Sequence, residues 1–180
     1  MTPVGACRWM DCFGSRRLGS ETGAQVRAHA HVEEHLETKL QQEPGAKLCR
    51  ELKVYEAAQL RVDARCKWNN SGVRLERGGL YRYAVEAGTW RDWTKSPTAD
   101  GYPSPNWWFR ALEPYRRAPK EAWFALMGAY ARRASTQFLI GLAAELPAVE
   151  SGELTCFAND LPFMYWNNHG HLLLSVTRVR

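Results

Sequence analysis

Between two stretches of β-forming residues, ELTCFA at Glu153 to Ala158 and LLLSVTRV at Leu172 to Val179, lies a segment dense in oxygen donors. It reads Asn159-Asp160-Leu161-Pro162-Phe163-Met164-Tyr165-Trp166-Asn167-Asn168-His169-Gly170. Asp160 offers a hard anionic oxygen, Asn167 and Asn168 offer neutral amide oxygens, and the loop between them can turn backbone carbonyls inward. Calcium takes about six to eight oxygens in a flexible geometry, and a mixture of carboxylate, amide and carbonyl is its usual supply. Asn-Asp and Asn-Asn are equally the residues of turns, where they tolerate left-handed backbone and bond their own chain. By residue type alone the turn reading is the stronger.

Other chemistry-bearing residues group less tightly. His169 and His171 flank Gly170 and share one face of a strand, but with no carboxylate partner in view they read as solvated. His29, His31 and His35 read as surface residues of a helix. Asp92 and Asp100 fall in an irregular stretch and read as ordinary loop acids. The chain holds no G-x-S-x-G elbow, no H-E-x-x-H and no phosphate-cradling glycine loop, so motif-borne catalysis is not expected. The cysteines Cys7, Cys12, Cys49, Cys66 and Cys156 are odd in number and lack zinc-type spacing. Cys66 and Cys156 fall in apolar alternating stretches and read as free, buried small hydrophobes.

The elements that must position these groups are mostly strands. Leu60, Val62, Ala64, Cys66 and Trp68 alternate with Arg61, Asp63, Arg65 and Lys67, the period of a half-buried strand. Asn69-Asn70-Ser71-Gly72 then predicts a turn. Val73 and Leu75 resume a strand, Arg77-Gly78-Gly79 turns again, and Leu80 to Ala87 is rich in β-formers. Gly88 to Lys120 is irregular, with Trp90, Trp93, Trp107 and Trp108 set among five prolines, a composition of long ordered loops that usually carry function. AWFALMGAY, Ala122 to Tyr130, fits a helix by propensity and a buried strand by its short apolar run. Phe138 to Leu142 predicts a further strand, Glu150-Ser151-Gly152 a turn, and the chain ends in a strand placed in the sheet core. Short strands with turns at about ten-residue intervals point to a sandwich or barrel.

Ahead of these, residues 1 to about 22 show no period. Ala24 to Glu43 places Val32, Leu36 and Leu40 four residues apart, a thinly amphipathic helix ended by Pro44-Gly45. A linker is expected near residues 44–59. The apolar fraction of 45%, with eight tryptophans in 180 residues, is ample for one globular core. The net charge of +5 comes from scattered arginine pairs rather than one basic face, which argues against a nucleic-acid reader. No apolar run is long enough to span a bilayer or to serve as a signal peptide, so a soluble chain is expected.

The segment TCFANDLPFMYWNNHGHLLLSV resembles the PA-I galactophilic lectin family of bacterial calcium-dependent sugar-binding proteins. Those proteins run from a strand through Asn-Asp, a Pro- and Tyr-bearing loop, Asn-Asn and Gly into a last strand. The likeness extends upstream to Trp68-Asn69-Asn70-Ser71-Gly72, Glu76 to Gly79 and Ala87-Gly88-Thr89-Trp90, and so covers roughly Leu60 to Arg180. It implies an all-β, jelly-roll-like sandwich of the galactose-binding kind over 56–180, with 1–55 as a partly helical or disordered extension. It implies a strand for AWFALMGAY. It implies calcium held by the side chains of Asp160, Asn167 and Asn168 and by the backbone carbonyls of Met164 and Trp93, with sugar hydroxyls completing the shell. The His and Gln that contact galactose in that family fall near Trp107 to Ala111, where this chain has neither. Trp107 and Trp108 would either stack on a sugar ring or pack under the loop. Asp160 and Asn167 would contact the sugar through the shared ion. The implied function is a non-catalytic, calcium-dependent carbohydrate-binding module, for galactose or another glycan. The alternative is an accessory or interaction domain detached from a larger bacterial hydrolase or effector, with a degenerate sugar site. A homo-oligomer or a larger enzyme is the protein partner that the resemblance allows.

Overall fold

The computed structural model describes residues 49–180. The expected helix at Ala24 to Glu43, its three histidines, Cys7 and Cys12 lie outside the described residues. Among the described residues the chain forms β1 (Arg50–Glu51), β2 (Ala57–Asp63), β3 (Asn69–Leu75), β4 (Leu80–Asp92), β5 (Leu126–Tyr130), β6 (Phe138–Leu139), β7 (Ala143–Pro147), β8 (Gly152–Ala158) and β9 (Asn168–Arg178). One short α-helix, Trp107–Leu112, interrupts the long connection from β4 to β5. The strands make a five-stranded sheet in the order β1-β3-β8-β5-β6 and a four-stranded sheet in the order β2-β9-β4-β7. This is an all-β sandwich, as the strand periodicity and turn spacing implied.

Alternation explains the four-stranded sheet. Leu172, Leu174 and Val176 of β9 are buried with Leu60 and Val62 of β2 and with Tyr81 and Tyr83 of β4, while intervening residues face outward. The last strand lies between β2 and β4, in the sheet interior as expected. In the other sheet every residue of β5 is buried. Leu126 and Tyr130 face the main core, whereas Met127 and Ala129 join Ala118, Ala125 and Phe157 in a second apolar layer. A strand covered on both faces reads as a continuous apolar run, and tertiary burial overrode helical propensity at Leu126 to Tyr130, whereas Ala122 to Ala125, expected in the same strand, precede it outside any strand. Trp90 and Phe124 meet edge to face at 5.1 Å in the main core, a contact worth about 0.5–1.5 kcal/mol beyond its buried area.

Several expected boundaries move. β2 stops at Asp63 rather than running to Trp68, and Asn69 opens β3 instead of making a turn. The cause is the Asn69 side chain: it accepts from the Asp63 N–H at 2.9 Å and donates to the Asp63 and Cys156 carbonyls at 3.1 and 3.2 Å. The reversal therefore falls at residues 64–68, and the Gly72 region becomes an irregularity within a strand. Cys66 is disulfide-bonded, so the expectation of a free thiol there is corrected; Cys156 is a free, buried cysteine as expected. β4 continues to Asp92, so Gly88 to Asp92 is strand and not loop. That extension requires two glycines. A Cβ on Gly88 would meet the His171 carbonyl oxygen at 2.3 Å, and one on Gly170 would meet that of Thr89 at 2.2 Å, both on left-handed backbone. β7 was not expected; Ala and Pro hid an edge strand that pairs with β4.

Candidate metal centre

The loop from β8 to β9 is fixed from below by Asn159. This residue is fully buried. Its Oδ1 accepts from the Ala118 N–H at 2.9 Å, and its Nδ2 donates to the carbonyls of Ala118 and Ala122, each at 2.9 Å. Its backbone carbonyl accepts from Phe124, which sits on left-handed backbone at φ 61°. A second anchor is Tyr165, buried, whose hydroxyl donates to the Ala158 carbonyl and accepts from Arg117 at 2.9 Å. The Arg117 guanidinium lies 3.5 Å over Phe157 and 4.0 Å over Trp68, and burial lowers its pKa. The start and the middle of the oxygen-rich loop are thereby fastened to the surrounding chain.

Above these anchors the polar groups of the loop are linked by hydrogen bonds. Asp160 is 3% exposed; its Oδ1 accepts from the Leu161 N–H at 2.7 Å and its Oδ2 from the Asn168 amide at 3.0 Å. Asn167 donates its amide to Asp92 at 3.3 Å, and Asn168 donates to the Ala64 carbonyl at 3.3 Å. The Met164 carbonyl accepts from the Asn167 N–H at 3.2 Å. Burial pushes the Asp160 carboxyl up to about 6; the Asn168 bond opposes this, and the nearby Asp92 charge adds to it. Burial and the bond to Asp92 likewise raise the Tyr102 hydroxyl.

Two acceptors are left over. Asn167 Oδ1 and Asn168 Oδ1 are buried and have no hydrogen-bond partner. Among the described residues the remaining buried side-chain atoms without partners, Trp90 Nε1, Arg116 Nε and Arg117 Nη2, are donors. A buried polar atom without a partner costs on the order of 1–3 kcal/mol, so two adjacent ones need a reason. Among the described residues no Lys or Arg forms an ion pair with Asp160 or Asp92. Uncompensated carboxylates beside unpartnered amide oxygens form a donor set that suits a hard divalent cation. No three His, Cys, Asp or Glu gather into a metal cluster among the described residues, so such an ion would depend on amides and carbonyls.

A cavity of about 340 Å³ opens beside these groups. Asp92, Asp160, Asn167, Trp93 and Met164 line it, and Tyr102, Phe109, Leu112, Trp123 and Leu161 form an apolar wall. Trp93 sits on left-handed backbone at φ 53°, in a turn closed by reciprocal 2.9 Å bonds between Asp92 and Lys95. A bulky residue there is strained, and such strain gathers at functional sites. The Trp93 ring is exposed and meets Trp166 edge on at 6.3 Å.

Of the residues singled out from sequence, Asp160, Met164, Asn167 and Trp93 share this cavity wall, and Asn168 is bonded directly to Asp160. Trp107 and Trp108 stack on one another at 3.7 Å, both exposed, and do not line it; their helix contributes Phe109 and Leu112 instead. His169 and His171 lie on β9 opposite Arg91 and Thr89 and away from the cavity. Asp100 accepts from the Leu142 N–H at 2.8 Å, a structural role. Asp92 is the residue that sequence reasoning passed over. Its place depends on the pairing of β4 with β9, which sets it opposite Asn168, and no local pattern carries that pairing.

No protein-family model matches the chain, and no curated protein sequence matches it. Among solved structures the chain is similar to one described as the EclA N-terminal domain, a PllA-like lectin. The match has a TM-score of 0.48 and 19% identity, and it covers 67% of this chain and 95% of that one. No helix among the described residues is long and apolar enough to cross a membrane.

Proposed function

We propose that the described domain is a calcium-dependent carbohydrate-binding module. The observation that carries this reading is the pair of buried, unpartnered amide oxygens of Asn167 and Asn168 beside the Asp160 carboxylate. Asp160, Asn167 and Asn168 would hold calcium through side-chain oxygens, with the carbonyls of Met164 and Trp93 added, in keeping with the residue-by-residue resemblance of this loop to calcium-dependent lectins. Bound there, the ion would supply open positions for a vicinal pair of sugar hydroxyls, which are hard neutral oxygens.

The chain's own residues do the rest. Asn159 fastens the start of the loop to residues 118–122, and the Arg117–Tyr165 pair fastens its middle. The apolar wall of Tyr102, Phe109, Leu112, Trp123 and Leu161 offers a surface to the apolar face of a sugar ring, and the exposed Trp93 and Trp166 rings extend it at the rim. Trp166 faces outward rather than plugging the site. With no His or Gln at Trp107 to Ala111, galactose is one member of the panel to test rather than the assumed ligand.

Calorimetry of the chelator-stripped protein with calcium and then with a panel of monosaccharides tests the reading. Sugar heat that appears only with calcium, and disappears in Asp160→Ala, is expected. A protein that takes up neither calcium nor any glycan at millimolar concentration would leave the accessory-domain reading instead.

A further inference from the structure

Asp92 ends β4 directly opposite Asn168, the first residue of β9. Its Oδ1 accepts from the Asn167 amide at 3.3 Å and its Oδ2 from the Tyr102 hydroxyl. It lines the same cavity as Asp160, Asn167 and Met164. The neighbouring Lys95 ammonium forms no ion pair with it and lies over the rings of Tyr102 and Phe109, at 4.3 and 5.2 Å from their centres. An independent observation sits on the amide that Asp92 touches. Asn167 is 8% exposed, and its Oδ1 has no partner although its N–H is turned to a carboxylate.

We propose that Asp92 is a second carboxylate ligand of the cation site, joined to Asp160 through Asn167 and Asn168; this rests on the calcium reading above. The resemblance supplies one carboxylate, Asp160, and the register of β4 on β9 supplies the other. Two carboxylates match the double charge of the ion, and ligand charge count is a principal lever on calcium affinity. Calcium is then held firmly before any sugar arrives. A site with Asp160 alone would lean on the sugar to complete it.

The test titrates calcium, without sugar, into the chelator-stripped full chain and its variants. Wild type binds, Asp160→Asn does not, and Asp92→Asn and Asp92→Ser bind at least ~10-fold more weakly while keeping the ion-free melting temperature. Terbium in place of calcium gives a second readout. Luminescence lifetimes in light and heavy water should count about one more bound water in Asp92→Asn than in wild type. Wild-type binding with unchanged affinity and hydration in both Asp92 variants overturns the role of Asp92 and leaves the calcium reading standing. Absence of wild-type binding overturns both. Loss of the ion-free fold in both Asp92 variants would mark Asp92 as a structural partner of Tyr102 and overturn the proposal as well.

Discussion

Asn159 and Asn168 are the same residue type, both fully buried, at the two ends of one loop, and they differ in what their side chains have left to give. Asn159 uses both its oxygen and its nitrogen on the backbone of residues 118–122. Asn69 does the same for the reversal at residues 63–69. Asn168 and its neighbour Asn167 spend their nitrogens on Asp160 and Asp92 and keep their oxygens free. Burial alone does not separate a scaffold asparagine from a ligand asparagine. The unspent acceptor is what the proposed calcium site would use, since buried oxygens are otherwise almost always paired.

The strongest test of this contrast removes the scaffold residue. Asn159→Ala leaves the Ala118 N–H and buried carbonyls unpaired, and should cost about 3–5 kcal/mol in urea unfolding, equally with calcium or chelator present. Asn167→Ala should behave in the opposite way. Its ion-free stability should change by about 1 kcal/mol or less, while the calcium-induced gain, about 2.7 kcal/mol for wild type at a hundredfold excess over the dissociation constant, disappears. If Asn167→Ala instead destabilises the ion-free protein as Asn159→Ala does, the distinction between the two asparagines fails.

The pH dependence sharpens the same point on the carboxylate. With the Asp160 carboxyl up to about 6 in the fold and at its ordinary 3.8 when unfolded, the folded state binds more protons between those values. Ion-free stability should therefore rise as pH falls from about 6 toward about 4, by on the order of 2 kcal/mol, and Asp160→Asn should flatten that slope in chelator. Calcium should reverse the trend near neutral pH, since the ion compensates the buried charge. A wild-type protein whose stability falls monotonically with acid across this window would show that Asp160 is already compensated.

The smallest effect is expected at Trp107 and Trp108, which stack on each other in solvent. Replacing either with alanine should leave unfolding free energy within about 0.5 kcal/mol and calcium affinity unchanged. Trp93→Ala, on the cavity wall, should weaken sugar binding more than either. A larger loss of sugar affinity at Trp108 than at Trp93 would move the sugar platform to the helix.

Much of this molecule was written in local pattern. The period-two alternation of Leu60 and Val62 and of Leu172, Leu174 and Val176 specifies which face of each strand is buried, because successive side chains on a strand point to opposite sides. The oxygen donors Asp160, Asn167 and Asn168 were legible as a cluster because they lie on one loop, although residue type alone read as a turn and the resemblance was what pointed to calcium. Local pattern left Ala122 to Tyr130 open between helix and buried strand, and it could not say that Asn69 would close a reversal rather than form one. Each depends on what packs from elsewhere in the chain. Nor could it show that Trp107 and Trp108 turn outward while Phe109 of the same short helix turns in. Asp92 is the clearest case. It reads as a loop acid until β4 and β9 pair, and the pairing is a long-range event set by the fit of two whole strands and by Gly88 and Gly170, where the backbones approach too closely for any side chain. Sequence by itself determined the chemistry of the loop. The tertiary structure decided which atoms were left unpaired and which second carboxylate stands beside them, because partnering is a property of space and not of spacing.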